Sequence, residues 1–290
     1  MSNIRRSMFK VRCSTFIAIF LLTTSLFGHT ESDLNTQHLY KIIQQEQKIY
    51  QQLETNPDAY TTEELEYRLG DIIFAYDNYL SENPNDVSAL ILYGKLLRRT
   101  GENERAFEVF LKADALNPDI AVVKQQIGNH LVETGNGKAA LTFYLNAVEL
   151  KPEVPEYNYA LGEILHTFRD EFTEDKLLTR DSLDREMLKA FQAAARLAPK
   201  NFDLQMRLGE AYYDLATPDW RTALLHWEKL RKATPDYNVL RCQILDLHQA
   251  RVLNKLGRDE EARTLAIGIQ QPALQASRQE ILEKFDRHKN

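Results

Sequence analysis

The feature that most constrains this sequence is a period. The segment LILYGKLLRRTGENERAFEVFLKADALNP ends at Pro118, and KQQIGNHLVETGNGKAALTFYLNAVELKP ends at Pro152, 34 residues later. Pro84 lies 34 residues before Pro118. Within the period Gly94 matches Gly128, Gly101 matches Gly135, Ala106 matches Ala140 and Ala113 matches Ala147, with Phe110 opposite Tyr144. A fixed repeat of this length marks a stack of helical units, each of which buries its apolar face against the next.

The rest of the chain extends that period. Residues 32–56 read as one helix with Leu39, Ile42, Ile43, Ile49, Tyr50 and Leu53 on a face. Asn56-Pro57-Asp58 ends it, and Thr61 with Glu64 makes a capping-box pattern for a helix running to about Glu82. Two regular repeats follow, at about 87–120 and 121–154, each a helix, a turn at Thr-Gly, and a second helix. Gly101 and Gly135 suit left-handed helix C-caps. The third unit spans about 155–201. It opens in register at Leu161-Gly162, but Pro152 to Pro199 is 47 residues, which places 13 extra residues in or beside RDEFTEDKLLTRD. A fourth, at about 202–237, carries Leu208-Gly209, Tyr212, Ala223, Trp227 and Pro235, with Thr217-Pro218 read as an N-cap followed by a first helical proline. The last unit keeps Ala250, Leu253, Gly257, Ala262 and Ala266, with Ala250 where the first glycine stood. From Ala273 a polar helix with Leu274, Ile281, Leu282 and Phe285 closes the open end of the stack. No linker composition interrupts residues 32–290, which read as one array.

The N-terminus has a different character. Arg5, Arg6, Lys10 and Arg12 precede an uncharged stretch, Cys13 to Thr30, that contains FIAIFLLTTSLFG. Residues 1–28 therefore read as a signal peptide ending near Gly28, with an uncleaved anchor as the alternative and a membrane tether through residues 13–28 as its consequence. The implied location is periplasmic or extracellular. Removing four positive charges from a net −6 leaves −10, which argues against nucleic acid as a partner. Cys242 is the one cysteine outside that stretch, so no internal disulfide is expected, and its apolar context RCQIL suggests a buried small hydrophobe.

The repeat pattern resembles the tetratricopeptide repeat (TPR) family. The matches are Tyr93-Gly94, Leu97, Ala106, Phe110, Ala113 and Pro118, then Ile127-Gly128, Leu131, Ala140, Tyr144, Ala147 and Pro152. They continue at Leu161-Gly162 with Phe191, Ala194 and Pro199, and at Leu208-Gly209-Glu210-Ala211-Tyr212 with Ala223, Trp227 and Pro235. The early Trp position of the family is filled here by Leu90, Lys124, Asn158 and Gln205. The resemblance implies an all-α, right-handed superhelical solenoid of antiparallel helix pairs with a C-terminal capping helix. Glycine inside a helix costs about 1 kcal/mol relative to alanine. The four register glycines are therefore expected to permit a close approach of the paired helix, backbone to backbone.

The same resemblance implies a concave groove lined by the first helix of each repeat. Carried onto this sequence, the groove offers Ser88, Ile91, Lys95, Arg98 and Arg99, then Val122, Gln125, Asn129, Val132 and Glu133. The third repeat contributes Glu156, Tyr159, Glu163, His166 and Thr167, and the fourth Asp203, Met206, Glu210, Tyr213 and Asp214. Charge along these positions runs from basic to acidic, as suits an extended segment or helix with its positive part at the acidic end. Lys95, Arg98, Arg99, Gln125, Asn129, Tyr159, Glu163, Glu210 and Tyr213 are the candidate partner-binding residues. The family's clamp for a chaperone C-terminus is not matched, since only Asn129 falls suitably.

Chemistry is sparse. The seven histidines include no metal-binding spacing, and no serine stands in a nucleophile elbow. The acidic insert, with Asp170, Glu171, Glu174 and Asp175, lacks the glycine and alternating ligands of a calcium loop and reads as solvated loop. No catalytic residue, metal site or cofactor is expected. The function implied is a non-catalytic scaffold for a protein or peptide partner, in envelope assembly or secretion. The alternatives are a membrane-tethered assembly factor and a metal-dependent enzyme built on the insert.

Overall fold

The computed structural model describes residues 31–233 and 238–287, with side chains over 35–233 and 238–283. The signal or anchor at 1–28, Pro235 and the Phe285 side chain lie outside the described residues. Two compact units are present, up to Tyr79 and from Leu80.

The first unit holds α1 (Glu31–Thr55) and most of α2 (Thr62–Glu82). The capping box forms reciprocally: the Thr61 N–H donates to Glu64 Oε2 (3.0 Å) and the Glu64 N–H to Thr61 Oγ1 (3.2 Å). Ile42, Ile49, Ile72, Tyr76 and Tyr79 are buried. The Tyr76 hydroxyl donates to Glu46 at 3.2 Å, and His38 meets the Tyr79 ring edge-on at 5.5 Å.

The second unit runs α3 (Val87–Thr100), α4 (Asn103–Leu116), α5 (Ala121–Glu133), α6 (Gly137–Leu150) and α7 (Pro155–Thr167). It continues with α8 (Arg169–Glu174), α9 (Arg180–Leu197), α10 (Phe202–Asp214) and α11 (Trp220–Ala233). It closes with α12 (Val239–Lys255), α13 (Asp259–Gly268), a short 3₁₀ turn at Pro272–Leu274 and α14 (Gln275–Arg287). Within this unit successive helices pack on one another, α8 only lightly, and α7 also packs closely on α9 beyond it. Short turns between contacting helices make the pairs antiparallel. Gly101, Gly135 and Gly257 cap first helices at φ of 87°, 80° and 72°, where a side chain would be strained. Asp86, Asn136 and Asn201 cap helix N-termini through their side chains.

The register glycines do their work differently from the expectation. What each one faces is a ring, not the backbone of the second helix. A β-carbon at Gly94 would stand 2.8 Å from Phe110, at Gly128 3.2 Å from Tyr144, at Gly162 2.6 Å from Phe191, and at Gly209 2.1 Å from Trp227. Those rings are almost wholly buried. In the fifth pair both halves of the contact change together, with Ala250 in place of the glycine and Ala266 in place of the ring, each fully buried.

Three further expectations are corrected. The N-cap of α11 is Asp219, whose side chain accepts from the Thr222 N–H at 3.0 Å, so Thr217-Pro218 precedes the helix rather than opening it. Cys242 is only partly buried. The insert is loop only in its second half: Arg169–Glu174 folds as α8 with Phe172 fully buried, while Asp170, Glu174 and, just past the helix, Asp175 are exposed. Phe168 packs into the space over Gly137, and Lys138 pairs with Asp175, which ties the insert to the start of α6. Among the described residues no helix is long and apolar enough to cross a membrane.

The ring contacts predict an ordered pair of effects. Gly209→Ala forces a methyl into Trp227, and overpacking of this kind costs about 1–3 kcal/mol. Gly128→Ala needs Tyr144 to yield only a few tenths of an ångström, and the gain in helix propensity, about 1 kcal/mol, offsets it. Urea denaturation should show a clear loss for the first variant and little change for the second; equal midpoints would contradict the packing.

Candidate functional site

The residue after each register glycine lies about 100° further round its helix, away from the ring. In the four glycine-bearing pairs these residues are Lys95, Asn129, Glu163 and Glu210, and Arg251 follows Ala250 in the fifth. The last of them meet at a cavity of about 340 Å³ lined by Glu163, His166, Arg207, Glu210, Tyr213, Asp214, His248 and Arg251. Three successive first helices, α7, α10 and α12, build it.

Arg207 is the centre of the charge arrangement. Its Nε donates to Glu163 and its Nη1 to Asp214 Oδ2 at 2.9 Å, and its guanidinium lies over the Phe191 ring at 4.1 Å. Its Nη2 is buried without a hydrogen-bond partner. Burial works against the guanidinium charge, but Glu163 and Asp214 outweigh it and hold the pKa above the usual arginine value. Among the described residues Glu210 has no hydrogen-bond or ion-pair partner. Burial raises its pKa, with Asp214 and Glu163 adding to the rise against the opposing field of Arg207 and Arg251.

The aromatic wall is equally fixed. Trp227 Nε1 donates to the Tyr213 hydroxyl, His248 stacks on Trp227 at 4.5 Å, and Tyr213 packs on Trp220 at 5.2 Å. Burial, then the Arg251 charge, pulls the His248 pKa down to about 4. Burial and Arg207 do the same for His166, also to about 4, against the opposing pull of Asp214. Both imidazoles are neutral at pH 7.

The insert braces this site. Arg169 and Arg180 both donate to the Asp214 carbonyl, each at 3.0 Å, at the C-terminal end of α10. Asp184 accepts from the Ala216 N–H at 2.7 Å and from Arg180 Nε at 3.0 Å. Arg169 also reaches the His166 carbonyl at 3.0 Å. The extra residues thus hold α10 and the end of α7 in one arrangement.

Of the sequence-derived candidates, Glu163, Glu210 and Tyr213 come together in the cavity. Tyr159 stands beside them, edge-on to Phe191 at 6.1 Å, its hydroxyl pushed up to about 12 by burial and by Glu163. The others lie toward the first repeats. Arg98 closes on Glu133 through two bonds of 2.6 Å, so two groove positions neutralise each other. Asn129 accepts from the Tyr144 hydroxyl at 2.7 Å. Gln125 and Lys95 are half-buried and Arg99 is exposed. Arg207 and Arg251 also make the acidic end one of mixed charge. Sequence reasoning missed Arg207, His248 and Arg251. Arg251 was readable by carrying the post-glycine position into the last unit. Arg207 and His248 fall two residues before the register position, where Leu92, Gln126 and Ala160 stand in earlier repeats. Among the described residues no group of three or more His, Cys, Asp or Glu is placed to hold a metal ion.

A family model described as tetratricopeptide repeat matches residues 75–119, and the same register continues through the later pairs. The helix pairs have the all-α TPR-like fold. The chain is 34% identical over 86 residues to a DnaJ homolog subfamily C member 7 homolog from Schizosaccharomyces pombe, 26% of this chain and 18% of the relative. The chain therefore spans under a fifth of that protein's length. Among solved structures, YrrB, a TPR protein with an unusual peptide-binding site, shares 18% identity and a TM-score of 0.54 over 71% of this chain and 92% of its own. A structure of Pseudomonas aeruginosa pilF shares 14% identity and a TM-score of 0.55 over 87% and 98%. At these identities the two structures show the common TPR fold.

Two predictions follow from the geometry of this TPR site. Asp184→Ala removes a buried carboxylate that accepts from the Ala216 N–H and from Arg180, and hydrogen bonds to a charged group are worth about 1.5–3 kcal/mol; chemical denaturation should show the loss, with faster amide exchange at Ala216. The histidines bind protons less readily folded than unfolded, so between pH 6.5 and about 4 the unfolded chain takes up more protons. Stability from the neutral imidazoles is thus complete above the unfolded value and falls as pH drops toward 4. His248→Phe should flatten that decline, measured as urea midpoints at pH 7, 5.5 and 4.

Proposed function

We propose that this chain is an exported, non-catalytic TPR scaffold that holds an extended segment or helix of a partner protein along its first helices, in envelope assembly or secretion. The observation that carries the reading is the cavity built by α7, α10 and α12, where charged and aromatic side chains from three successive repeats converge on one open volume. Most of those groups are braced by partners within the fold, and a pre-set surface of this kind binds without a large ordering cost. The description of the related YrrB as carrying a peptide-binding site supports a peptide ligand. The acidic balance of the chain favours protein over nucleic acid. Export to a periplasmic or extracellular location rests on the basic start and uncharged stretch of residues 1–28. Because Cys13 to Thr30 is free of charge, an uncleaved tether, and with it a membrane-tethered assembly factor, is the second reading.

The test is capture of partners from envelope extract by the purified protein and by groove variants. Reversing charge with Lys95→Glu plus Arg99→Glu spares the Arg98–Glu133 pair and should weaken capture about tenfold with a changed salt dependence. Capture indifferent to charge reversal at both groove ends rejects the groove. N-terminal sequencing of the native protein separates a chain beginning near His29 from an anchored one.

A further inference from the structure

The cavity has a charge imbalance with one address. Three carboxylates, Glu163, Glu210 and Asp214, face two guanidiniums, Arg207 and Arg251, and the two imidazoles are neutral at pH 7. Arg207 is taken up by Glu163 and Asp214. Glu210 and Arg251 line the same volume but do not reach each other as an ion pair, and neither has another ion-pair or hydrogen-bonding partner among the described residues. Glu210 is half-buried, and a carboxylate partly withdrawn from water and left unpaired is unfavourable. A cation entering beside Glu210 satisfies it and brings the cavity from one net negative charge to neutral. The volume of about 340 Å³ lies at the small end of ligand pockets, which suits one side chain better than a folded element.

We infer that the subsite at Glu210 takes one lysine or arginine side chain of a bound peptide segment, an inference that rests on the peptide-scaffold reading above. The ammonium or guanidinium of that residue pairs with Glu210. Arg251, on the neighbouring first helix, repels a second cation and so limits the subsite to a single basic residue. The selectivity comes from Glu210 because the other two carboxylates are already satisfied by Arg207.

The test uses the purified full chain and a random heptapeptide phage library, followed by calorimetry on one enriched synthetic peptide. Enrichment of Lys or Arg at one peptide position is expected. Glu210→Gln should abolish that preference and weaken the synthetic peptide about tenfold or more, whereas Arg251→Gln, by removing a like charge, should tighten it several-fold. Enriched peptides without a basic residue, or a basic preference undiminished in Glu210→Gln, overturn the inference and leave the peptide-scaffold reading standing. No enrichment at all overturns that reading, and this inference with it. Circular dichroism melts establish that the variants fold; if Glu210→Gln does not, the Arg251→Gln comparison decides, and weaker or unchanged binding there counts against the subsite.

Discussion

In four of the helix pairs an aromatic ring from the second helix lies against a glycine of the first, and the later architecture depends on that contact. A buried ring contributes roughly 1.5–3 kcal/mol of hydrophobic stabilisation, against about 1 kcal/mol lost by placing glycine in a helix. The balance favours the pair, and it also fixes position. With the ring seated on Gly162 or Gly209, the rotation of the first helix is set, and the next residue, Glu163 or Glu210, is turned away from the ring. Fold and site therefore share one determinant: the small residue places the helix, and its neighbour presents the charge.

Much of the fold was legible because the period is a direct record of that contact. Gly94, Gly128, Gly162 and Gly209 recur with Phe110, Tyr144, Phe191 and Trp227, and the capping box at Thr61 and Glu64 is a local signal that needs no tertiary information. What the period does not encode is which surface opposes a given residue. The expectation of backbone meeting backbone failed for this reason: the ring that fills the gap sits 16 to 29 residues downstream of its glycine. The Thr217-Pro218 cap failed because Asp219, one residue later, is held by the Tyr212 carbonyl at 3.0 Å, a contact between helices. The cavity was half legible. Glu163, Glu210 and Tyr213 follow from the repeat offset, but Arg207 and His248 occupy an offset filled by Leu92, Gln126 and Ala160 earlier in the chain, and so break the pattern that located the others.

The insert illustrates how composition alone misleads. Its run of acidic residues looks like solvated loop, yet the decisive members are Phe172, which anchors it, and Arg169 and Arg180, which converge on one backbone carbonyl. A helix C-terminus carries partial negative charge on its unsatisfied carbonyls, and two guanidiniums there stabilise the end of α10 next to the cavity. The interruption in the period thus strengthens the array where its charged groups are densest.

The fifth pair, where Ala250 and Ala266 stand in for glycine and ring, bears on how such a sequence can change. An aromatic at position 266 would collide with the methyl of Ala250, and glycine at 250 would leave a void with no ring to occupy it. Each half of the exchange at 250 and 266 is costly without the other, so these two positions form an epistatic unit spanning two helices. Divergence among repeats then proceeds by paired steps where the contact is tightest, as at Gly209 and Trp227. At Gly128 the ring has only a few tenths of an ångström to yield, and a single step to alanine is nearly level.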